Sequence, residues 1–455
     1  MSDQLLSVGL DVGTTSTQLI VSDLTVENQA SSFAVPEMHI TERKIRYESP
    51  VYFTPLLDES HIDGEKVREI LEKEYRKAGI TRQEVETGAI IITGETSRKE
   101  NAEAVLSALS EFAGDFVVAT AGPDLESRLA AKGAGAVSYS KDRGKTVLHM
   151  DIGGGTSNLC LIRDGEILDT GCFNVGGRLL TYDENKRILW VSQALNGIFP
   201  GKPGEKLTES QAQALAESLT QVLEMAAGLR SPDERLQKLI TREGKPVDPG
   251  LLKERPVLSF SGGVADCMEG EMPMDAFGDL GPLLGRAIRK SRLCQGPYRL
   301  GEQTIRATVI GAGCHSAQLS GSTVFYQNIR FPLKNIPSAV VPRGELTTEK
   351  LRSCLAFGEG TAVLAMPGVR SPGYGEIAAL ADLISEADLP EPLVICLQQD
   401  MAKALGQALA LRLGKQAEIL CMDSIYLEEE SYLDVGSPVG PAIPVVVKTL
   451  ILEKG

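Results

Sequence analysis

Two aspartates carry the clearest capacity for chemistry in this chain. Asp11 and Asp151 each close an apolar run and each precede a loop of glycine and hydroxyl residues, in "LDVGTTSTQLIVSD" and "MDIGGGTSNLCLI". One offset of 140 residues carries Asp11 onto Asp151, Gly13 onto Gly153, Ser16 onto Thr156, Thr17 onto Ser157 and Leu19 onto Leu159. A glycine-rich bend in a single strand is more often a bulge than an anion site; the internal repeat is what gives it weight. Consecutive glycines let backbone N–H groups approach an anion with no side chain in the way. Duplicated half-domains would set the two loops face to face across a cleft, where two carboxylates repel unless a cation lies between them. Mg²⁺ suits that setting, because it keeps its waters and takes carboxylate and phosphate oxygens. The pattern predicts a nucleotide site with Asp11 and Asp151 on its metal.

The elements that must hold these groups are legible around them. "TVLHM" reads as a buried strand, and "SNLCLIRDGEILDT" as its continuation through a hairpin, since Asp164-Gly165 tolerates the positive φ of a two-residue turn. "TESQAQALAESLTQVLEMAAGLR" has helical apolar spacing, and "DLGPLLGRAIRKSRL" is a second amphipathic helix suited to packing. His149, two residues before Asp151, is expected as a satisfied core histidine. Asp400 is expected as a helix cap.

The whole chain narrows the classes. Its 455 residues are enough for two or three domains. A net charge of −15 and a pI near 5.0 argue against a nucleic-acid partner, which needs clustered Lys and Arg. No signal-peptide pattern opens the chain, and no apolar run approaches the roughly 20 residues that span a bilayer, so no membrane partner is expected. The eight cysteines include no C-x-x-C pair, which points to free thiols in a reducing, cytoplasmic setting and not to zinc. An Asp-x-His-x-x-Gly cobalamin-ligand pattern is also missing, so tightly held cobalamin is not expected.

Five segments in order over residues 6–320 resemble the actin-like ATPase superfamily. "GLDVGTTSTQLI" and "HMDIGGGTSNLCLI" resemble its two phosphate loops, and "VLSFSGGVADC" its adenosine loop. "LESRLAAKGAGAVSYS" and "TVIGAGCHSAQLSG" resemble its connecting helices, with Ala130, Ala131, Gly133, Ala134, Gly135, Gly311 and Gly313 as positions for a close crossing at a hinge. The resemblance implies an α/β fold of two duplicated ribonuclease H-like domains facing a nucleotide cleft, and the alternation of helix "EIAALADLI", strand "PLVICL", helix "QDMAKALGQALALRL" and strands "AEILCM" and "IPVVVKTLIL" predicts a small additional C-terminal α/β unit. The divisions drawn are 1–140, 141–325 and 326–455. It implies ATP and Mg²⁺ as cofactors, with Asp11 and Asp151 as catalytic and metal residues. Gly13, Thr14, Thr15, Gly153, Gly154, Gly155, Thr156, Gly262 and Gly263 are the expected nucleotide contacts. Glu126, nine residues before Gly135, matches the carboxylate that orients the attacking water, although the same residue suits a helix N-terminus. Glu95 in "IIITGETSRKEN" competes for that role.

Within the superfamily, "SVGLDVGTTSTQLIVSDL", "TGETSRKENAEAV" and "SYLDVGSPVGPAIPVVVKTLIL" are similar to the ethanolamine ammonia-lyase reactivating factors over nearly the full chain. That similarity implies an ATP-dependent chaperone that releases damaged cobalamin from inactivated ethanolamine ammonia-lyase so that adenosylcobalamin can rebind. It leaves a homodimer and association with a bacterial microcompartment open. The tail departs from the family pattern at "EESYLDVG", where a Gly-Asp-Tyr run is expected, and "SGGVADC" lacks the chaperones' adenine-stacking residues. The alternatives are a sugar-type kinase, for which no sugar-binding phrase is found, and a polymerising actin-like ATPase. An iron–sulfur activase is disfavoured because no cysteines are closely placed.

Overall fold

The computed structural model describes residues 3–449 except 14–15, 29–37, 59–60, 94–100, 103, 106–107, 110–117, 121–122, 243, 253–254, 270–271, 274, 316–317, 321–322, 343–345, 356–361, 428–430 and 439–441. Strands β1 (Asp3–Val12), β2 (Ser16–Asn28) and β3 (Met38–Glu48) form an antiparallel meander, with the short β4 (Tyr52–Phe53) against β2. β5 (Thr87–Ile92) and β6 (Val118–Thr120) then add in parallel, giving the order β3-β2-β1-β5-β6. β1 and β5 read as nearly continuous apolar runs because both of their faces are covered. Helix α1 (Gly64–Ala78) is capped by the Asp63 carboxylate, which accepts from the Lys66 N–H, and ends at the left-handed Gly79; it packs Val67, Leu71 and Tyr75 on this sheet.

The second sheet repeats the first. β7 (Val147–Ile152), β8 (Ser157–Arg163) and β9 (Glu166–Phe173) form the antiparallel meander, turning through Asp164 and Gly165 with φ of 52° and 82°. After a separate ribbon, β10 (Leu180–Tyr182) and β11 (Ile188–Val191), strands β12 (Val257–Ser261) and β13 (Tyr298–Leu300) add in parallel. The order β13-β12-β7-β8-β9 is that of the first sheet, so the 140-residue repeat in sequence is a repeat in topology.

The first connecting segment differs from the single helix expected. It forms α2 (Pro123–Gly133) and α3 (Ala136–Arg143), broken at Gly135, whose φ of +70° no helix accommodates. The 140/141 division thus falls inside α3. Domain two adds α4 (Glu209–Ala226), opened by a Thr208/Gln211 capping box, then α5 (Glu234–Leu239), α6 (Gly263–Asp266) and α7 (Gly281–Lys290); α4 and α7 pack together through one core. The second connecting helix, α8 (Ala307–His315), crosses α2 and lies on β1. At that crossing the backbones touch. A methyl on Gly133 would lie 1.9 Å from the Ala307 carbonyl oxygen, and one on Gly311 would lie 2.1 Å from that of Leu129. Gly9 of β1 meets the Val309 carbonyl and Gly313 in the same way. The close contacts are therefore Gly133, Gly311 and Gly313. Gly135 is glycine for its left-handed backbone, with Glu302 beside it.

The third sheet comprises β14 (Gln318–Leu319), β15 (Phe325–Gln327), β16 (Leu333–Val340), β17 (Val363–Met366), β18 (Leu393–Leu397), β19 (Ile419–Asp423), β20 (Ser431–Val435) and β21 (Pro444–Thr449). Its order is β14-β21-β20-β16-β17-β18-β19-β15, so β15 straddles the 325/326 division. β16 to β19 run parallel, with α9 (Thr348–Leu355), α10 (Tyr374–Glu386) and α11 (Ala402–Leu413) as the crossovers. Among the described residues this unit has eight strands and is larger than the small appendage expected. No helix among them is long and apolar enough to cross a membrane.

Candidate functional site

The two repeats face each other across a cleft of about 650 Å³. Asp11, Gly13, Glu126, Asp151, Gly153, Gly154, Gly155, Thr156, Gly262 and Gly263 all line it. Thr14, Thr15 and Glu95 lie outside the described residues. The two loops share one internal bond, since the Gly13 N–H donates to the Ser16 carbonyl and the Gly153 N–H to the Thr156 carbonyl, both at 2.9 Å. Each bond ties the end of one antiparallel strand to the start of the next, and Asp11 and Asp151 stand at equivalent places near the ends of β1 and β7.

Both carboxylates are buried and held by hydroxyls. Thr93 donates to Asp11 at 2.9 Å; Ser261 donates to Asp151 Oδ1, and Thr308 to Oδ2 at 3.3 Å. Burial pushes Asp11 up to about 7 against the Thr93 hydrogen bond, and the Asp151 charge adds to the rise. Asp151 is pushed up to about 6 by burial, against the bonds from Ser261 and Thr308. Two carboxylates lining one cleft, each held by hydroxyls, are hard oxygen ligands that fit a divalent cation such as Mg²⁺.

His149 completes the support of Asp151. It is fully buried, and burial lowers its pKa to about 3, so the ring is neutral. Ser261 gives its one proton to Asp151, so the contact at 3.0 Å requires His149 Nε2–H to donate to Ser261 Oγ. Nδ1 then accepts from Ser259 at 3.1 Å. The expectation of a satisfied core histidine holds, and its role is to orient the serine that orients the aspartate.

Several cleft residues escape the motif reading. Arg178 is the only basic side chain among the described lining residues, and it lies over the Phe53 ring at 5.9 Å. Its backbone N–H donates to the Gly154 carbonyl at 2.6 Å, and that of Gly177 to Gly153 at 3.0 Å, which buttresses the second loop. Thr93 and Thr308 come from β5's end and α8, far from Asp11 and Asp151 in sequence, and no motif marks them. Ser261 is the exception, because its place directly before Gly262-Gly263 was visible. At Gly262 φ is +85°, and a Cβ would lie 2.3 Å from the Ile152 carbonyl oxygen, so only glycine brings the loop against β7. The helix it opens is short, with four residues.

Two sheets of the same 3-2-1-4-5 order, facing a cleft through paired Asp-x-Gly loops and joined by crossing helices, make this an actin-like ATPase fold. Within that class the chain belongs to the family described as "Ethanolamine utilisation protein EutA", whose sequence pattern matches residues 3–453. It is 37% identical to the ethanolamine ammonia-lyase reactivase EutA of Salmonella typhimurium and 36% identical to that of Escherichia coli K12, each over 98% of both chains. Among solved structures it is similar to an Aquifex aeolicus PPX-GPPA enzyme, at 15% identity and a TM-score of 0.41, over 68% of this chain and 99% of that one.

Proposed function

We propose that this protein is an ATP-dependent reactivating chaperone for ethanolamine ammonia-lyase, which releases damaged cobalamin so that adenosylcobalamin can rebind. The observation that carries the nucleotide half of this reading is the convergence of Asp11 and Asp151, equivalent residues of two repeats, in one cleft. The client comes from the two relatives whose names give their activity and whose whole length this chain shares.

Asp11 and Asp151 would hold Mg²⁺, which supplies charge neutralisation at the phosphates when bound. The two glycine loops and Arg178 would take the phosphates, and Gly262-Gly263 would approach the nucleoside. Glu126 on α2 would orient the attacking water. The domains meet where α2, α8 and β1 touch through Gly133, Gly311 and Gly9, and a nucleotide bridging both loops favours one angle between them. A ligand shifts such an equilibrium only by its differential affinity for the two states. The ATP and ADP forms therefore differ in affinity for the lyase, one gripping it and loosening its cobalamin site while the other lets go. Such work belongs in the cytoplasm with the lyase, inside or beside a microcompartment.

The test is recovery of cobalamin-inhibited ethanolamine ammonia-lyase with this protein, ATP, Mg²⁺ and fresh adenosylcobalamin. Lyase activity is expected to return only when all are present. Equal recovery without ATP would refute the mechanism.

A further inference from the structure

The cleft contains a buried polar atom with no protein partner. Gln18 on β2 is 2% exposed, sits across from Asp11 in the strand register and lines the cleft. Its Nε2 donates to the Ile305 carbonyl at 3.1 Å. A carbonyl oxygen only accepts, so the amide nitrogen must face it, and the orientation of the carboxamide follows. Oε1 is left buried and without a hydrogen-bond partner in the protein. The second repeat shows the same feature. Asn158, 140 residues later, sits across from Asp151, and its Oδ1 also has no partner. Only four buried side-chain atoms among the described residues lack a partner, so two falling at equivalent positions beside the two aspartates reflects the design of the site. Of the two carboxamides, Gln18 is the one that reaches the cleft.

An acceptor buried without a donor carries the desolvation cost of a lost hydrogen bond, so the occupied cleft has to supply a donor. Ionised phosphate oxygens only accept, so the donor is a water or a sugar hydroxyl; a cation ligated directly by Oε1 is the other way to satisfy the atom, and it would show as a loss of analogue affinity when Gln18 is replaced. Gln18 stands beside Asp11 at the start of the first phosphate loop, and the nucleoside is expected on the other domain at Gly262-Gly263, which favours the water.

We propose that Gln18 is a positioning residue that holds the water attacking the terminal phosphate of the nucleotide; this rests on the ATPase reading above. The water oxygen forms a bond to the terminal phosphorus. The bond from that phosphorus to the bridging oxygen breaks, its electron pair leaving with ADP. One water proton stays on the released phosphate and the other passes to solvent. A neutral carboxamide takes no proton, so Gln18 acts by accepting a hydrogen bond that aims the water, a role carboxamides play in other nucleotide hydrolases. Its donor end is held by Ile305, just before α8, so its aim depends on the position of that connecting helix.

The experiment uses the full-length protein with Gln18→Leu, which keeps the volume and removes both hydrogen-bonding atoms. ATP turnover is followed by phosphate release, and nucleotide affinity by calorimetry with a non-hydrolysable ATP analogue. The expected result is a fall in kcat of about 10- to 100-fold, the size of one lost hydrogen bond to a buried partner, with KM and analogue affinity within about threefold. Gln18→Met is the second variant if the leucine protein does not give a native melting transition. Unchanged kcat in a folded variant, or an affinity loss that accounts for the whole activity loss, overturns the proposal. A wild-type protein that binds the analogue but leaves ATP intact also overturns it, and a wild-type protein that does neither removes the ATPase reading beneath it.

Discussion

The α2–α8 crossing offers a sharp test, because two effects of one methyl group oppose each other there. Alanine is favoured over glycine in a helix by about 1 kcal/mol, so Gly133→Ala on α2 would stabilise an isolated helix. In the fold the added carbon would stand 1.9 Å from the Ala307 carbonyl oxygen, 2.7 Å from the Gly311 nitrogen and 2.9 Å from the Ala307 carbonyl carbon, all backbone atoms. Restoring ordinary contact requires the helices to part by about 1.5 Å, and a packed core does not yield that far without losing contacts on both sides. Overpacking of this kind costs about 1–3 kcal/mol or more, so the steric effect wins. The expected outcome is a melting temperature lower by about 5 °C, by calorimetry or circular dichroism. Gly375→Ala on α10 is the control, since nothing lies within 4 Å of its added carbon, and it should be neutral or slightly stabilising. A folded Gly133→Ala protein that melts at or above wild type would refute the inference that the backbones touch. The same variant is expected to bind nucleotide and fail to reactivate the lyase, because the altered crossing fixes the angle between the domains.

Asp11→Asn and Asp151→Asn should each lower ATP hydrolysis by about 10²–10⁴-fold, measured by phosphate release, and wild-type rates in both would remove the cleft assignment. Glu126→Gln should keep ATP affinity and slow turnover; loss of affinity instead would place Glu126 on the phosphates. In the C-terminal unit, burial pushes Asp423 up to about 6, helped by the carboxylate of Asp400 and opposed by Thr323. A carboxyl raised in the folded state above its ordinary value near 4 binds its proton more tightly there than in the unfolded chain, so its contribution to stability falls as pH rises from about 4 to 6 and is level above. Asp423→Asn should therefore gain in melting temperature over wild type at pH 7.5, and the gain should shrink by pH 4.5. A pH-independent difference would show that Asp423 does not titrate in this range.

Much of the site was legible in the residues themselves, and the reason is local. An apolar strand broken by Asp-x-Gly and hydroxyls has few foldings, and the 140-residue offset required that both copies fold alike, which is why Asp11, Asp151 and their glycines appear in one cleft. The Asp164-Gly165 turn and the alternating elements from residue 374 to 423 were legible for the same reason, since each depends on residues within a turn or two of one another. Tertiary structure decided what depends on distant chain segments. The hydroxyls on the two aspartates come from Thr93, Ser261 and Thr308; Arg178 reaches the cleft from a loop with no phosphate-binding pattern; and Gln18 shows an unpaired oxygen only once Ile305 has taken its nitrogen. The hinge divides in the same way. Sequence marked a run of small residues from Ala130 to Gly135, but whether a glycine serves a crossing or a left-handed turn depends on what lies opposite it. Gly133 faces the backbone of α8 and Gly135 breaks the helix, because packing, which no local pattern encodes, put Ala307 and Gly311 against the one and a φ of +70° at the other.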